Sequence, residues 1–206
     1  MDPQKLLDLW TIRQLIDDWV VYSDAGDWEH FRAVWHEDGH MMATWTQCPA
    51  EQFVAMRRKV FESGNMGILH FQGGHSAQIA GARAIAQTKM QILQRAEVEG
   101  VLCDVTCTGR FYDFLEKRAG RWGMVHRQPI YEKDRLDSLV PGRAPVLDAA
   151  LLQSFPEGYR HLAYLQARLN YPVKKDMPGL KGPATDALYA RGRSWLDGRA
   201  GHPKDW

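Results

Sequence analysis

The chain has 206 residues, 45% hydrophobic and 25% charged, with a formal net charge of +1. This is the profile of an ordinary globular protein, long enough for one domain with a full core. It argues against a basic nucleic-acid surface, and no apolar run approaches the roughly 18 residues that a membrane span requires.

The amino-terminal stretch MDPQKLLDLW has no basic region followed by an apolar core, so no secretory leader is expected. The three cysteines, Cys48, Cys103 and Cys107, show no Cys-x-x-Cys spacing. Cys103 and Cys107 fall four apart on one face of a predicted strand, too far apart to bridge. A reduced thiol set in a cytoplasmic setting is the simplest reading. Eight tryptophans are many for this length and hint at aromatic-lined space.

Residues 3–24 are predicted to form a helix. Leu6, Leu9, Ile12, Ile16 and Val20 repeat at the helical period, and the stripe ends on Asp24. At roughly 100° per residue, Asp24 lies about 40° from Val20 and points toward the core. Gly26 ends this helix, and Asp27 caps a second one whose inner side carries Phe31, Val34 and Trp35. Residues 40–46 read as a short strand. Pro49 then opens a third helix, with Phe53, Met56, Val60 and Phe61 predicted inward.

After Gly64 the period changes to two. Strands are predicted over 67–79, 83–97, 101–116 and 121–132, joined at Gly81, Glu99-Gly100 and Ala119-Gly120 as antiparallel neighbours. Helices followed by a strand meander make an α+β pattern. From about residue 133 prolines punctuate the chain, and 157–169 and 183–197 read as short helices. The expected organisation is a main domain over 1–132 and a helical arm or lid over 133–206 packed on it.

Two groups carry the chemical argument. A carboxylate on the core side of a helix (Asp24) and an imidazole inside an apolar strand (His70) are both costly to bury. Brought together, they make an acid/base pair. The helix macrodipole and burial both disfavour a negative charge at Asp24, unless His70 protonates and offsets them. A coupled pair could titrate near neutrality, as a general base requires. The alternative is a buried structural hydrogen bond between helix and sheet.

Arg110 and Arg127 lie on predicted strands among apolar neighbours. Either could bind a phenolate, carboxylate or developing oxyanion, or simply pair with a carboxylate. Tyr22, Trp45, Phe53 and Tyr112 are candidate pocket walls, although each residue type more often serves as core. His75 and His126 are candidates for a supporting shell or for plain structural roles. His36-Glu37-Asp38-Gly39-His40 matches the metalloprotease pattern in letters, but that chemistry needs both histidines on one helical face. Here Asp-Gly interrupts the segment, and no metal site is expected.

Asp24-Ala25-Gly26-Asp27-Trp28, Pro49-Ala50-Glu51-Gln52-Phe53-Val54-Ala55-Met56 and His70-Phe71-Gln72-Gly73-Gly74, followed by Gly120-Arg121-Trp122, occur in an order that resembles the SnoaL-like branch of the nuclear transport factor 2-like superfamily. The motifs are most similar to those of scytalone dehydratase, and the resemblance covers roughly residues 5–132. It implies a cone-shaped α+β barrel, in which a curved antiparallel sheet wraps the amino-terminal helices around a deep pocket, with a carboxy-terminal helical extension here. It also implies cofactor-free enzymes. In scytalone dehydratase and hexachlorocyclohexane dehydrochlorinase, an Asp of the first helix pairs with a His of the sheet, and those roles map onto Asp24 and His70. The dehydrochlorinase's Arg falls near Arg127. The second catalytic histidine of scytalone dehydratase falls on Leu93 or Gln94, its pocket asparagine falls near Arg110 and Phe111, and one of its tyrosines becomes Ser23. These departures argue against scytalone as substrate.

The resulting expectation is a cofactor-independent lyase acting on a small hydrophobic, aromatic, lignin-type molecule, with loss of water or a fragment such as formaldehyde. The alternatives are an isomerase, polyketide cyclase or epoxide hydrolase of the same fold, or a non-catalytic binding module. A homo-oligomer, dimer or trimer, is expected, with no nucleic-acid or membrane partner.

Overall fold

A computed structural model describes residues 2–64 and 67–202. The outermost residues of the two expected spans, Met1 and 203–206, therefore lie outside the described residues. Three helices lead the chain: α1 (Pro3–Ala25), α2 (Trp28–Ala33) and α3 (Ala50–Glu62). Strands β1 (Trp35–Met42) and β2 (Gln47–Pro49) separate α2 from α3, and β3 (Ile68–Ala80), β4 (Arg83–Val98), β5 (Val101–Arg118) and β6 (Arg121–Ser138) follow. The tail carries α4 (Ala149–Gln153), a single 3-10 turn at Glu157–Tyr159, α5 (Arg160–Arg168) and α6 (Pro183–Leu196).

In α1 the residues Ile12, Leu15, Ile16, Trp19, Val20 and Ser23 are buried, a stripe of i, i+3 and i+4 steps. The Asp2 carboxylate accepts from the Gln4 amide, and Pro3 occupies the first turn. Leu6, predicted on the inner stripe, is exposed. Gly26 stops the helix in the left-handed region at φ 76°, and a Cβ there would come within 2.7 Å of the Phe61 ring. Only glycine meets both demands. The Asp27 side chain then accepts from the His30 amide and opens α2.

One six-stranded sheet runs in the order β2-β1-β6-β5-β4-β3. From β3 to β6 it is an antiparallel meander, while β1 lies parallel to β6. The turns at Glu99-Gly100 and Ala119-Gly120 place both residues at positive φ, the geometry that matches strand twist in a two-residue hairpin. Register shifts interrupt β3 between Gln72 and His75, and the β5–β6 pairing at Thr108/Gly109 and at Phe114/Leu115. Such bulges bend a sheet and increase its twist. The curved sheet and amino-terminal helices form the expected cone.

Several features differ from expectation: the second helix ends at Ala33, so Val34 and Trp35 lie beyond it, with Trp35 opening β1. The first strand is 35–42 rather than 40–46, so the His36–His40 segment is extended, with the His36 imidazole bonded to the Glu116 carbonyl and the His40 ring stacked on His126. In α3 the buried face is Ala50, Phe53, Val54 and Arg57, and Met56 is 37% exposed. The stripe is rotated because the i+4 partner of Phe53 is an arginine, which hydropathy discounts. Finally, β6 continues to Ser138, through the expected division at 132/133.

The two faces of the sheet are covered differently. The main core joins α1, α2, α3 and α5 to one face. A smaller cluster of Ile85, Tyr112, Phe114, Val125, Ile130, Leu188 and Trp195 lies on the other, beneath α6.

Candidate active site

Asp24 is the first residue beyond the buried α1 stripe, and His70 is the third residue of β3. The Asp24 carboxylate takes both of its contacts to His70 through different oxygens: Oδ2 accepts the backbone N–H at 2.6 Å, and Oδ1 meets Nδ1 at 2.8 Å. The side chains are 14% and 8% exposed. This two-point clamp fixes the position of the strand and the plane of the ring together. With Nδ1 held as the donor, Nε2 is the basic nitrogen. The Trp19 ring stands edge-on to the imidazole at 5.4 Å. Burial pulls the His70 pKa below its ordinary value; the hydrogen bond that Asp24 accepts from the ring opposes this, and the charges of Arg57 and Arg127 reinforce it.

His70 lines an inner chamber of about 50 Å³ together with Trp19, Phe53, Arg57, Phe111 and Gln166. That is room for a few water molecules, far short of the several hundred Å³ that an organic ligand occupies. A second, outer chamber of about 750 Å³ lies beside it, bordered by α3, β3, β4 and the end of α5. Trp45, Arg57, Ile68, Gln94 and Gln166 line both chambers, on the wall the two share. The geometry accommodates a molecule whose body rests outside while a narrow end reaches His70.

Arg57 was not singled out by sequence reasoning. Its Nη2 lies 3.8 Å from Asp24 Oδ1 and 3.4 Å from Ser23 Oγ, and its side chain is 8% exposed. Its place on the i, i+3, i+4 stripe of α3 was the available signal. Gln166 was also missed. It belongs to the tail, and its side-chain oxygen accepts from the Thr44 hydroxyl at 2.7 Å. Leu162 and Gln166 of α5 face the inner chamber, and Leu169 and Tyr171 the outer one, so the tail completes the cavity wall.

The predicted residues divide. Asp24 and His70 meet, and Trp45 and Phe53 line the chamber with His70. Arg127 lines neither chamber. Its guanidinium lies between the rings of Trp19 and Phe111, at 4.3 and 4.1 Å, and closes a bidentate pair with Asp113 at 2.7 and 2.8 Å. Arg110 and Tyr112 sit on the far face of the sheet. Arg110 pairs with Glu132 and bonds Gln87 and Tyr189, while Tyr112 packs under α6 against Tyr189. Alternation explains this: Phe111 faces the chamber, so its two neighbours face away. Tyr22 falls beside the buried stripe and stacks on His30 at 5.0 Å, outside both chambers.

The match to the SnoaL-like domain model spans residues 4–128, more than half the chain. The chain belongs to the SnoaL-like domain family. Fungal relatives extend the similarity through the tail. A PEP2-like protein of Fusarium vanettenii is 35% identical over 208 residues, covering 95% of this chain and 89% of the relative. Pea pathogenicity protein 2 of the same fungus is 34% identical over 198 residues, covering 91% and 84%. Among solved structures, a candidate scytalone dehydratase from Novosphingobium aromaticivorans superposes with a TM-score of 0.57 at 17% identity, covering 72% of this chain and 99% of that one. A type 2 hexachlorocyclohexane dehydrochlorinase gives 0.57 at 11% identity with the same coverage. At these identities the two structures establish the SnoaL-like cone and no more. Among the described residues no helix is long and apolar enough to cross a membrane.

Proposed function

We propose that this SnoaL-like protein is a cofactor-independent lyase that takes a proton from a small, hydrophobic, aromatic substrate and expels water or a fragment such as formaldehyde. The observation that carries the reading is the clamp of Asp24 on His70 at the wall of a small chamber that shares Trp45, Arg57, Ile68, Gln94 and Gln166 with a ligand-sized hollow beside it. Asp24 holds the Nδ1 proton and directs the Nε2 lone pair at the substrate. Burial keeps the imidazole neutral in the resting state, the form a general base needs. As a carbon–hydrogen bond breaks, its electrons form the new double bond and the carbon–oxygen bond opens. The imidazolium, stabilised by Asp24, returns its proton to the departing hydroxyl as water. Elimination is also what the names of the structurally similar dehydratase and dehydrochlorinase describe, which favours this class over the other activities that the fold hosts.

The test uses β-hydroxypropiophenone, in which removal of the α-proton expels water and removal of the hydroxyl proton expels formaldehyde. Mass analysis should find one of these losses, and His70→Ala should reduce the rate by about 10²–10⁴-fold, the usual worth of a positioned base. Turnover unaffected by His70→Ala would overturn the assignment, and a product of unchanged mass would mark an isomerase instead.

A further inference from the structure

Two buried arginines approach the Asp24–His70 pair, and they are neutralised very differently. Arg127 has a dedicated carboxylate, Asp113, in bidentate contact, with both side chains fully buried. Arg57 has none. Its nearest carboxylate is Asp24, at 3.8 Å, beyond hydrogen-bond distance, and both oxygens of that carboxylate are already committed to His70. Its Nε is sealed from solvent and has no hydrogen-bond partner. A guanidinium presents five N–H donors, and here the protein makes one long contact with a serine hydroxyl. A buried cation left so poorly matched costs stability. Packing does not require one at this place, because the neighbouring positions on the stripe, Phe53 and Val54, are apolar.

Position adds a second argument. Arg57 is the cation that lines both chambers, on the wall they share. Trp19, which lines the inner chamber, also has a buried Nε1 with no partner. The inner chamber and the wall it shares with the outer one therefore offer unmatched N–H donors within walls that are largely aromatic and aliphatic. At the rim of the outer chamber, Asp104 is held by Arg95 through two 2.8 Å bonds, so it does not reach inward to quench Arg57. Planar guanidinium groups favour two-oxygen anions for the same geometric reason that Asp113 suits Arg127.

We infer that Arg57 is the anion-recognition residue of this cavity, selecting ligands that carry a carboxylate or phenolate on an aromatic body. This deepens the proposed function by naming the substrate class of the same site, but as a statement about binding it is testable without turnover. The ligand's anionic oxygen meets Arg57 where the chambers adjoin, its apolar body fills the outer chamber, and the narrow reacting end of a substrate extends on toward His70. Because Asp24 keeps both of its bonds to His70, binding leaves the base in place.

The test compares 2-naphthoate with its neutral counterpart 2-naphthamide, following the quenching of tryptophan fluorescence, since Trp45 lines both chambers. Wild type should bind naphthoate at least tenfold more tightly than naphthamide. Arg57→Met should abolish that preference while retaining naphthamide binding, and Arg57→Lys should keep part of it. His70→Ala should keep the preference even though the base is gone, so a failure of the lyase reading and a failure of this one give different results. Circular dichroism checks that each variant is folded, and Arg57→Lys serves if Arg57→Met is not. Equal affinity for the two compounds in wild type, binding of neither, or a preference that survives in Arg57→Met or is unchanged in Arg57→Lys would overturn the inference.

Discussion

Asp113 on β5 and Arg127 on β6 are register partners, and their side chains close a bidentate ion pair with no exposed surface. The pair lies against Trp19, which in turn packs on the His70 ring. It thus braces the floor under the base without touching the chamber. Removing one member strands the other charge in the core. Asp113→Ala is expected to cost about 3–5 kcal/mol in urea denaturation, whereas the double change Asp113→Leu with Arg127→Met should recover most of that loss. A single-variant cost below about 1 kcal/mol would show that water reaches the pair.

Arg57 should behave in the opposite way. With no carboxylate in direct contact, Arg57→Met removes a desolvation cost and little attraction. The urea midpoint is expected to stay level or rise, even as anion binding is lost, a familiar trade between stability and function. A fall as large as that of Asp113→Ala would mean that Arg57 is a structural cation.

The pH dependence of the base follows from the direction of its shift. Burial depresses the His70 pKa, so the neutral imidazole persists below 6.5. The rate should hold steady down to 6.5 and decline only in more acid solution. Asp24→Asn removes the interaction that raises this pKa, so the acid limb should move still lower as the plateau falls. A limb above 6.5, read from the rate profile or from the imidazole NMR shifts, would contradict burial as the leading cause.

His126 provides a pH test of stability. Burial first, then His40, Arg191 and His202, push its pKa down to about 3 from 6.5. The unfolded chain binds a proton near 6.5 that the folded chain refuses until about 3. Its contribution is therefore complete above 6.5 and is lost as the pH falls through that window, by up to about 1.4 kcal/mol per unit. Denaturation curves collected from pH 7 to 4 should show this slope, and His126→Phe should flatten it. An unchanged slope would assign acid sensitivity to other groups.

Gly109 sits at a bulge where a Cβ would meet the Ile130 carbonyl at 2.0 Å. The obstacle is backbone, which cannot rotate aside. Gly109→Ala should destabilise by at least about 1–3 kcal/mol, measured as a lowered urea midpoint. A neutral result would show that β5 and β6 separate easily at this point.

Much of the architecture is local and was legible for that reason. The 3.6-residue stripe of α1, the switch to period two after Gly64 and the glycines at the turns depend on neighbours a few residues away. The same stripe placed Asp24 near the core, and an imidazole inside an apolar strand drew attention to His70. The stripe of α3 was misread because an arginine occupied a buried position, and hydropathy counts arginine as solvent-facing.

Sequence alone therefore determined the period of the main helices and of the strand meander, their caps and turns, and two costly polar groups that had to find partners. Tertiary structure decided which partners they found. Arg110, Tyr112 and Arg127 looked alike as polar residues on long strands. Alternation sent the first two to the far face beneath α6, and cross-strand register gave the third to Asp113. Arg57 and Gln166 reached the cavity only because α3 and α5 close over the same face of the sheet. Side-chain period is written locally, whereas cross-strand register, the bend made by a bulge and the arrival of a distant helix are settled by long-range packing.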